Sequence, residues 1–338
     1  MSSTPHLDLE ALGLYFDAFG IQRLGALQGE LISGGRSNLT YRVTDGLTSW
    51  VVRRPPAAGQ TTSAHDVIRE ARVGRALTGT VVPVPPVVAL CEDTAVLGVP
   101  FTVTGWVQGR IVRDRDELDA LSDTQVGAVC SSMMDVLAGL HDVDPAAVGL
   151  EGFGRPEGFV ARQVALWRRQ WDRVRTRELP DVERLHALLS ERVPDSQASG
   201  IVHGDYRIDN LMLDDGNPAK IKAVLDWELS TLGDPRTDVA LMCIYRHPAL
   251  DVVLGLPAAW ASPRIPSADD LAQAYADRSG RDLGDWPFYL SLAAFKLAVI
   301  SEGIAHRAHA GADASRNAAQ AAEAVPDLIS AGLAHLRA

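Results

Sequence analysis

A chain of 338 residues with 46% hydrophobic and 22% charged side chains can bury a large core or two smaller ones, which excludes a disordered or fibrous protein. A net charge of −11 argues against a nucleic-acid-binding surface and favours cationic over polyanionic small molecules in the mean field. Three widely spaced cysteines in apolar surroundings (Cys91, Cys130, Cys243) indicate neither a disulfide framework nor zinc, and with Asp8, Glu10 and Asp17 and no basic head in the first twenty residues, no signal peptide is expected there.

From Leu27 to Val107 the pattern is short strands: Leu27 to Ile32, Leu39 to Val43, Trp50 to Arg53 and Phe101 to Val107 are rich in β-branched and aromatic residues and separated by turn formers, as in an antiparallel sheet. Ser33-Gly34-Gly35-Arg36-Ser37-Asn38 joins the first two; paired glycines at a hairpin tip are either a plain turn or a way to bring backbone N–H groups to an anion. One helix interrupts the strands, with Ser63 and Asp66 as a capping box and Val67, Ala71, Gly74 and Leu77 as its apolar stripe. Glu70 falls on that stripe, so it either reaches solvent at the edge or pairs with Arg53 or Arg54 on a neighbouring strand. Val82-Pro-Val-Pro-Pro86 reads as a rigid extended connector.

After Gly109 the chain becomes helical. Ser122 and Gln125 form a capping box ahead of a core stripe from Val126 to Leu140, whose terminal His141 caps or packs. Val160, Val164, Trp167, Trp171 and Val174 make a second stripe, with arginines on the other faces that form a solvated surface or hold an acidic substrate arm. Ser267 opens a helix that closes near Gly280, and Phe288 to Ile304 is apolar almost all round, so it should be deeply buried; Lys296 and Glu302 within it meet polar partners at a cleft or lie at its rim. An Ala-rich helix or helix pair, 310–338, ends the chain, and no window is read as an uninterrupted membrane span. A cytoplasmic protein with no membrane partner is the expectation.

Between these helices lies His203-Gly-Asp205-Tyr-Arg207-Ile-Asp-Asn210, a polar loop flanked by the apolar runs Ile201–Val202 and Leu211–Leu213, and a third apolar run ends on Asp226. Two acids and an amide at strand ends suit a hard cation and a phosphate: Mg²⁺ takes carboxylate and amide oxygens, and phosphoryl transfer needs positioning, neutralised charge and a base for the accepting hydroxyl. Asp205, Asn210 and Asp226 can supply these.

His203-Gly-Asp205-x₄-Asn210 followed by Asp226-Trp-Glu resembles the catalytic loop and metal-binding segment of the aminoglycoside phosphotransferase family, relatives of the protein kinases. The resemblance runs in order over about residues 25 to 310, with Gly34, Gly35 and Ser37 in the phosphate-covering hairpin, Arg53 where a strand lysine is expected, Glu70 as its helical partner, and Thr104, Trp106 and Val107 in an adenine-contacting hinge. It implies an α+β, protein-kinase-like two-lobe fold: residues 1–107 a nucleotide-binding lobe of antiparallel sheet plus one helix, and 108–338 a mainly helical lobe carrying loop 203–210 and segment 224–228. It also implies ATP or GTP with Mg²⁺, Asp205 as base, Arg207 on the transferring phosphate, Asn210 and Asp226 as metal ligands, and His203, Asp234 and Asp238 as bracing.

Two departures bear on substrate. Arg53 replaces the lysine and brings a bidentate fork in its stead. Only seven residues separate Asp226 from Asp234, leaving no activation loop, so a protein substrate is disfavoured and a small-molecule hydroxyl expected; a homodimer is allowed for. The Arg53-Arg-Pro-Pro56 strand end and the Arg207-Ile-Asp within the loop are most similar to a branch also found fused to acyl-CoA dehydrogenases, so the implied acceptor is a hydroxyacyl-CoA-like metabolite or an aminoglycoside-like compound. The competing readings are a nucleotide-binding module without turnover and a metal-dependent hydrolase built on His203, Asp205, Asp226 and Asp238.

Overall fold

In the computed structural model, residues 7–34, 38–56, 67–311 and 318–337 are described. The fold is α+β and protein-kinase-like, with an antiparallel sheet early in the chain and mostly helix after it. The chain divides into two compact units: Met1–Gly109 together with Lys222–Ser230, and Arg110–Ile221 together with Thr231–Ala338.

The first unit opens with α1 (Leu9–Ala18), whose N–H groups at Glu10 and Ala11 donate to the Asp8 carboxylate. Then follow β1 (Gln28–Gly34), β2 (Leu39–Thr44), β3 (Ser49–Arg54), α2 (Val67–Leu77), β4 (Val87–Cys91), the single turn α3 (Thr94–Leu97) and β5 (Phe101–Gly105). The sheet is antiparallel in the order β1-β2-β3-β5-β4. Alternation along the strands decides its faces: Tyr41, Val43, Trp50 and Val52 point into a core closed by Tyr15 and Phe16 of α1, with Phe16 edge-on to Trp50 at 5.1 Å. Thr40 and Arg53, cross-strand partners, therefore face the other way. β4 and α1 were not expected from sequence, and the last strand ends at Gly105, two residues earlier than its apolar run. Gly74 lets α2 lie close on β4: a Cβ there would come 3.0 Å from Val87 Cγ2, and the valine side chain would have to give way.

In the second unit come α4 (Arg115–Asp119), α5 (Asp123–Asp142), α6 (Phe159–Val174), α7 (Pro180–Glu191), β6 (Gly200–Val202) and β7 (Leu211–Leu213). β8 (Ile221–Val224) carries the chain into the first unit's segment, and β9 (Thr231–Gly233), α8 (Arg236–Ile244), α9 (Ala249–Leu254), α10 (Ala268–Ser279), α11 (Trp286–His309) and α12 (Val325–His335) complete the second. The Ser122–Gln125 capping box at the start of α5 is formed reciprocally. α11 is the helix around which the others pack, against α12, α8, α6 and α7. It is long and apolar enough by composition to span a membrane, contrary to the expectation that no window was, but 89% of that window is buried inside the protein. An all-round apolar helix is what a central core position requires.

Three of these strands set up the site. β6 and β9 pair antiparallel, Gly200 with Gly233 and Val202 with Thr231, so His203 leaves one strand and Asp234 the other at opposite ends of a short ladder. β7 is held by reciprocal backbone bonds between Leu213 and Arg110 of 2.8 and 2.9 Å. The polar loop 203–210 is thus fixed at both ends by backbone pairing.

Candidate active site

In the second unit the loop begins on Gly204, whose φ of +86° is the left-handed region that a side chain would oppose. That turn aims two consecutive N–H groups, of His203 and Gly204, at the buried Asp238 carboxylate of α8, at 2.5 and 2.7 Å. His141 Nε2 lies 3.3 Å from the same carboxylate, and its Nδ1 is 2.7 Å from Tyr275 Oη. Burial works against the Asp238 charge, but the His141 and His203 contacts outweigh it and hold its pKa below the ordinary carboxylate value. His203 is itself fully buried, and its Nδ1 accepts the Asp205 N–H at 3.2 Å. Asp234, also buried, accepts from Ser196, Arg236 and Tyr289.

On this frame the Asp205 carboxylate is held by both oxygens. Tyr245, at the C-terminal end of α8, donates its hydroxyl to Oδ1, and Asn210 Nδ2 donates to Oδ2 at 3.0 Å and to the Asp205 carbonyl at 2.8 Å. With its N–H₂ group engaged there, Asn210 keeps its amide oxygen for another partner. Arg207 Nε is 3.4 Å from Asp205 Oδ1, its Nη1 is 3.0 Å from Asp209 Oδ2, and its guanidinium lies over the Tyr245 ring. Burial raises the Asp209 pKa, with the Asp205 charge adding and Arg207 opposing. Lys296 of α11 donates to the Gly204 carbonyl at 2.8 Å.

The first unit carries the other cluster. Of the two arginines at the end of β3, Arg53 is the one that pairs with Glu70 of α2, and its other nitrogen is 3.6 Å from Asp226 Oδ1. Asp226 sits in segment 222–230, which Val224 N–H ties to the Pro83 carbonyl at 2.8 Å and Arg69 ties through the Ser230 carbonyl at 2.9 Å. Asp226 has a φ of +63°, an uncommon and strained conformation for a residue other than glycine. Burial opposes the Arg53 charge, yet Glu70, Asp226 and Glu228 push its pKa above the ordinary arginine value; burial also raises that of Glu70, with Arg53 opposing. Among the described residues, three buried atoms of this cluster have no hydrogen-bond partner: Arg53 Nε, Glu70 Oε2 and Asp226 Oδ1.

Gly34 ends β1, while Gly35 and Ser37, and the Ser63–Asp66 capping box, lie outside the described residues. Thr104, next to last in β5, pairs with Val51; Trp106 follows the strand with its N–H on the Ser49 carbonyl at 3.1 Å and Arg42 over its ring, and Val107 beside it is partly exposed. The structure thus brings Asp205, Arg207 and Asn210 together in one unit, and Arg53, Glu70 and Asp226 together in the other. Sequence reasoning missed Tyr245 and left Lys296 undecided. For Tyr245 there was a signal, since seven residues from Asp238 is two helical turns, which puts both on one face of α8.

A model of the phosphotransferase enzyme family matches residues 28–288. The chain belongs to this family. Human acyl-CoA dehydrogenase family member 11 is 32% identical over 330 residues, covering 96% of this chain and 42% of that protein. Acyl-CoA dehydrogenase family member 10 of Mus musculus is 35% identical over 290 residues, 85% of this chain and 27% of that protein, so this family member spans less than half the length of either. Among solved structures, a candidate aminoglycoside phosphotransferase from Ralstonia eutropha JMP134 is 34% identical with a TM-score of 0.84, covering 98% of each chain. A spectinomycin phosphotransferase bound to ADP and spectinomycin has a TM-score of 0.63 at 12% identity, covering 98% and 99%, and shares the fold.

Proposed function

We propose that this protein is a kinase of small molecules, transferring the γ-phosphoryl group of ATP or GTP, with Mg²⁺, to a hydroxyl of a hydroxyacyl-CoA-like metabolite or an aminoglycoside-like compound. The observation that carries this reading is the Asp205–Asn210 pair: a carboxylate fixed by both oxygens and, hydrogen-bonded to it, an amide whose oxygen is left for a cation. Family membership supports the reaction class, and the ADP in the spectinomycin enzyme supports nucleotide use.

The residues fit a metal–nucleotide. Asp226 Oδ1 is a buried hard oxygen without a hydrogen bond, and the strained backbone beneath it is of the kind that functional sites retain. When bound, Mg²⁺ with Asn210 and Asp226 would neutralise charge on the phosphates. Arg53, oriented by Glu70, would direct its fork to phosphate oxygens. Gly34, Gly35 and Ser37 would cover the phosphates, and Thr104, Trp106 and Val107 would meet the base. Asp205 would accept the proton as the acceptor oxygen bonds to the γ-phosphorus and the bond to the departing nucleoside diphosphate breaks, with Arg207 holding a phosphoryl oxygen. A hydrolase with His203 and Asp238 as metal ligands is disfavoured, because His203 Nδ1 and both Asp238 oxygens are already engaged in bracing the loop.

Incubation with γ-labelled ATP and a metabolite extract tests the reading directly. Label should pass to an organic phosphate ester in the parent and not in Asp205→Asn; label appearing only as inorganic phosphate overturns it.

A further inference from the structure

After Arg207 the chain makes a single 3₁₀ turn, Ile208–Asn210, closed by the Asn210 N–H on the Arg207 carbonyl at 3.0 Å. Its three side chains take three directions. Ile208 is buried in the core, Asn210 reaches back to Asp205, and Asp209 meets the Arg207 guanidinium, Oδ2 to Nη1 at 3.0 Å. Arg207 thus stands between two carboxylates, with its Nε 3.4 Å from Asp205 Oδ1 and its face over the Tyr245 ring at 5.4 Å. The side chains are largely withdrawn from water, at 15% exposure for Arg207 and 18% for each acid, so solvent screens them little.

Burial acts against an ionised Asp209, and the neighbouring Asp205 charge adds to it; Arg207 is the main influence in its favour. Stability alone does not call for such a pair, because exchanging a buried ion pair for apolar side chains of similar volume is often neutral or stabilising. The loop is moreover already fixed at both ends by backbone pairing. What Asp209 does change is the choice open to Arg207. With one acid in reach, the guanidinium fork would close on Asp205, since bidentate pairing with a single carboxylate is strong and geometrically matched. That pairing would occupy the oxygens that must accept the proton, and it would draw the guanidinium away from the phosphoryl group.

Resting on the kinase reading above, we propose that Asp209 is a positioning residue: it draws the Arg207 guanidinium off Asp205 and holds it for the transferring phosphoryl group, leaving the base open to the acceptor's proton. Asp209 acts through Arg207 and touches neither substrate. The shorter of the two ion pairs is the one to Asp209, and the Tyr245 ring keeps the guanidinium plane from turning freely between the acids.

The test is a double-mutant cycle. Transfer of label from γ-labelled ATP to the acceptor in a metabolite extract, at saturating Mg·ATP, is measured in the parent, Asp209→Asn, Arg207→Gln and the double variant, with calorimetry of Mg·ATP binding and thermal melting alongside. Asp209→Asn should lower the maximal transfer rate ~10-fold or more while Mg·ATP affinity stays within ~3-fold of the parent. Asp209→Glu keeps the charge and should bring the rate back to within ~3-fold. In the Arg207→Gln background, Asp209→Asn should change the rate less than ~2-fold, because the group it acts through is gone. Equal losses from Asp209→Asn with and without Arg207 overturn the proposal. So do an unchanged rate, a failure of Asp209→Glu to restore it, and a loss of the fold in Asp209→Asn, which would make the pair a structural one. A parent that transfers no label to any acceptor overturns the kinase reading instead, which separates the two failures.

Discussion

The carboxylates of the two polar clusters differ in how completely they are satisfied. In the second unit Asp205, Asp234 and Asp238 each have both carboxylate oxygens in hydrogen bonds from within that unit. Among the described residues of the first unit, Glu70 and Asp226 each keep a buried carboxylate oxygen without one. A saturated cluster is pre-organised and its geometry is set by the fold. An unsatisfied one is costly by itself, at about 1–3 kcal/mol for each buried group, and that cost is relieved when a ligand supplies the missing partners. The second unit therefore resembles a finished reaction frame, and the first a receptor for something that arrives charged and rich in oxygen.

Breaking the saturated side should have the largest effects. Asp205→Asn keeps the shape and the Asn210 contact but removes the proton acceptor, and turnover should fall by about 10²–10⁴-fold while Mg·ATP affinity changes little. Rapid-quench measurement of product with calorimetry of nucleotide binding checks both halves; a matching loss of affinity would mean that Asp205 binds rather than reacts. Next comes Asp238→Ala, which leaves two buried N–H groups and His141 without their acceptor and should destabilise the fold by about 3–5 kcal/mol in urea melts. The pH dependence has a definite sign. The Asp238 and Asp234 pKa values are depressed in the folded protein, so their contribution is fully present above the unfolded carboxylate value of about 3.9 and is lost as pH falls through the folded values. Asp238→Asn should accordingly show a shallower loss of stability on acidification than the parent.

How far this comparison could be read from sequence differs between its sides. The loop 203–210 was legible because polar residues between two apolar runs can only be a fixed loop, and its acid-to-amide spacing limits the chemistry. The sheet was legible by its β-branched and aromatic runs between turn formers, except β4, which runs straight on from the proline-rich connector. Contacts that close the site across long separations were not. Tyr245 is 40 residues from Asp205 and Lys296 is 92 from Gly204, and neither position carries a local pattern that names its partner. Glu70 shows the limit most plainly: helical spacing placed it on the apolar stripe, while the choice between solvent, Arg53 and Arg54 depended on which face of β3 each arginine takes. Nor does spacing reveal that segment 222–230 packs with the first unit.

The unsatisfied side should respond to smaller changes. Arg53 reaches Glu70 with one nitrogen and Asp226 with the other, which a guanidinium can do at once and an ammonium cannot. Arg53→Lys should therefore keep the pairing with Glu70 but release Asp226, lowering nucleotide affinity by about 5–30-fold, or ~1–2 kcal/mol, with little change in the melting of the protein. Arg53→Ala should weaken nucleotide binding further. Equal affinity for Mg·ATP in the parent and both variants, by calorimetry, would place the cation away from the phosphates and make its role that of a strut between α2 and the 222–230 segment.

The smallest expected effect sharpens the comparison most. Tyr245→Phe removes one hydrogen bond from Asp205 and leaves the Asn210 bond, the Arg207 contact and the ring in place, so stability should change by about 0.5–1.5 kcal/mol. If saturation is what orients the base, turnover should fall by a modest factor, under about 10-fold, with nucleotide affinity untouched, because the carboxylate gains one rotational freedom and no charge is lost. If the Tyr245 hydroxyl instead occupies the place of the acceptor's own hydroxyl, its removal should raise the slow hydrolysis of Mg·ATP by water while transfer stays level. The ratio of hydrolysis to transfer in Tyr245→Phe decides between a base that is held ready and one that is held back, and only the first agrees with a frame finished before its substrates arrive.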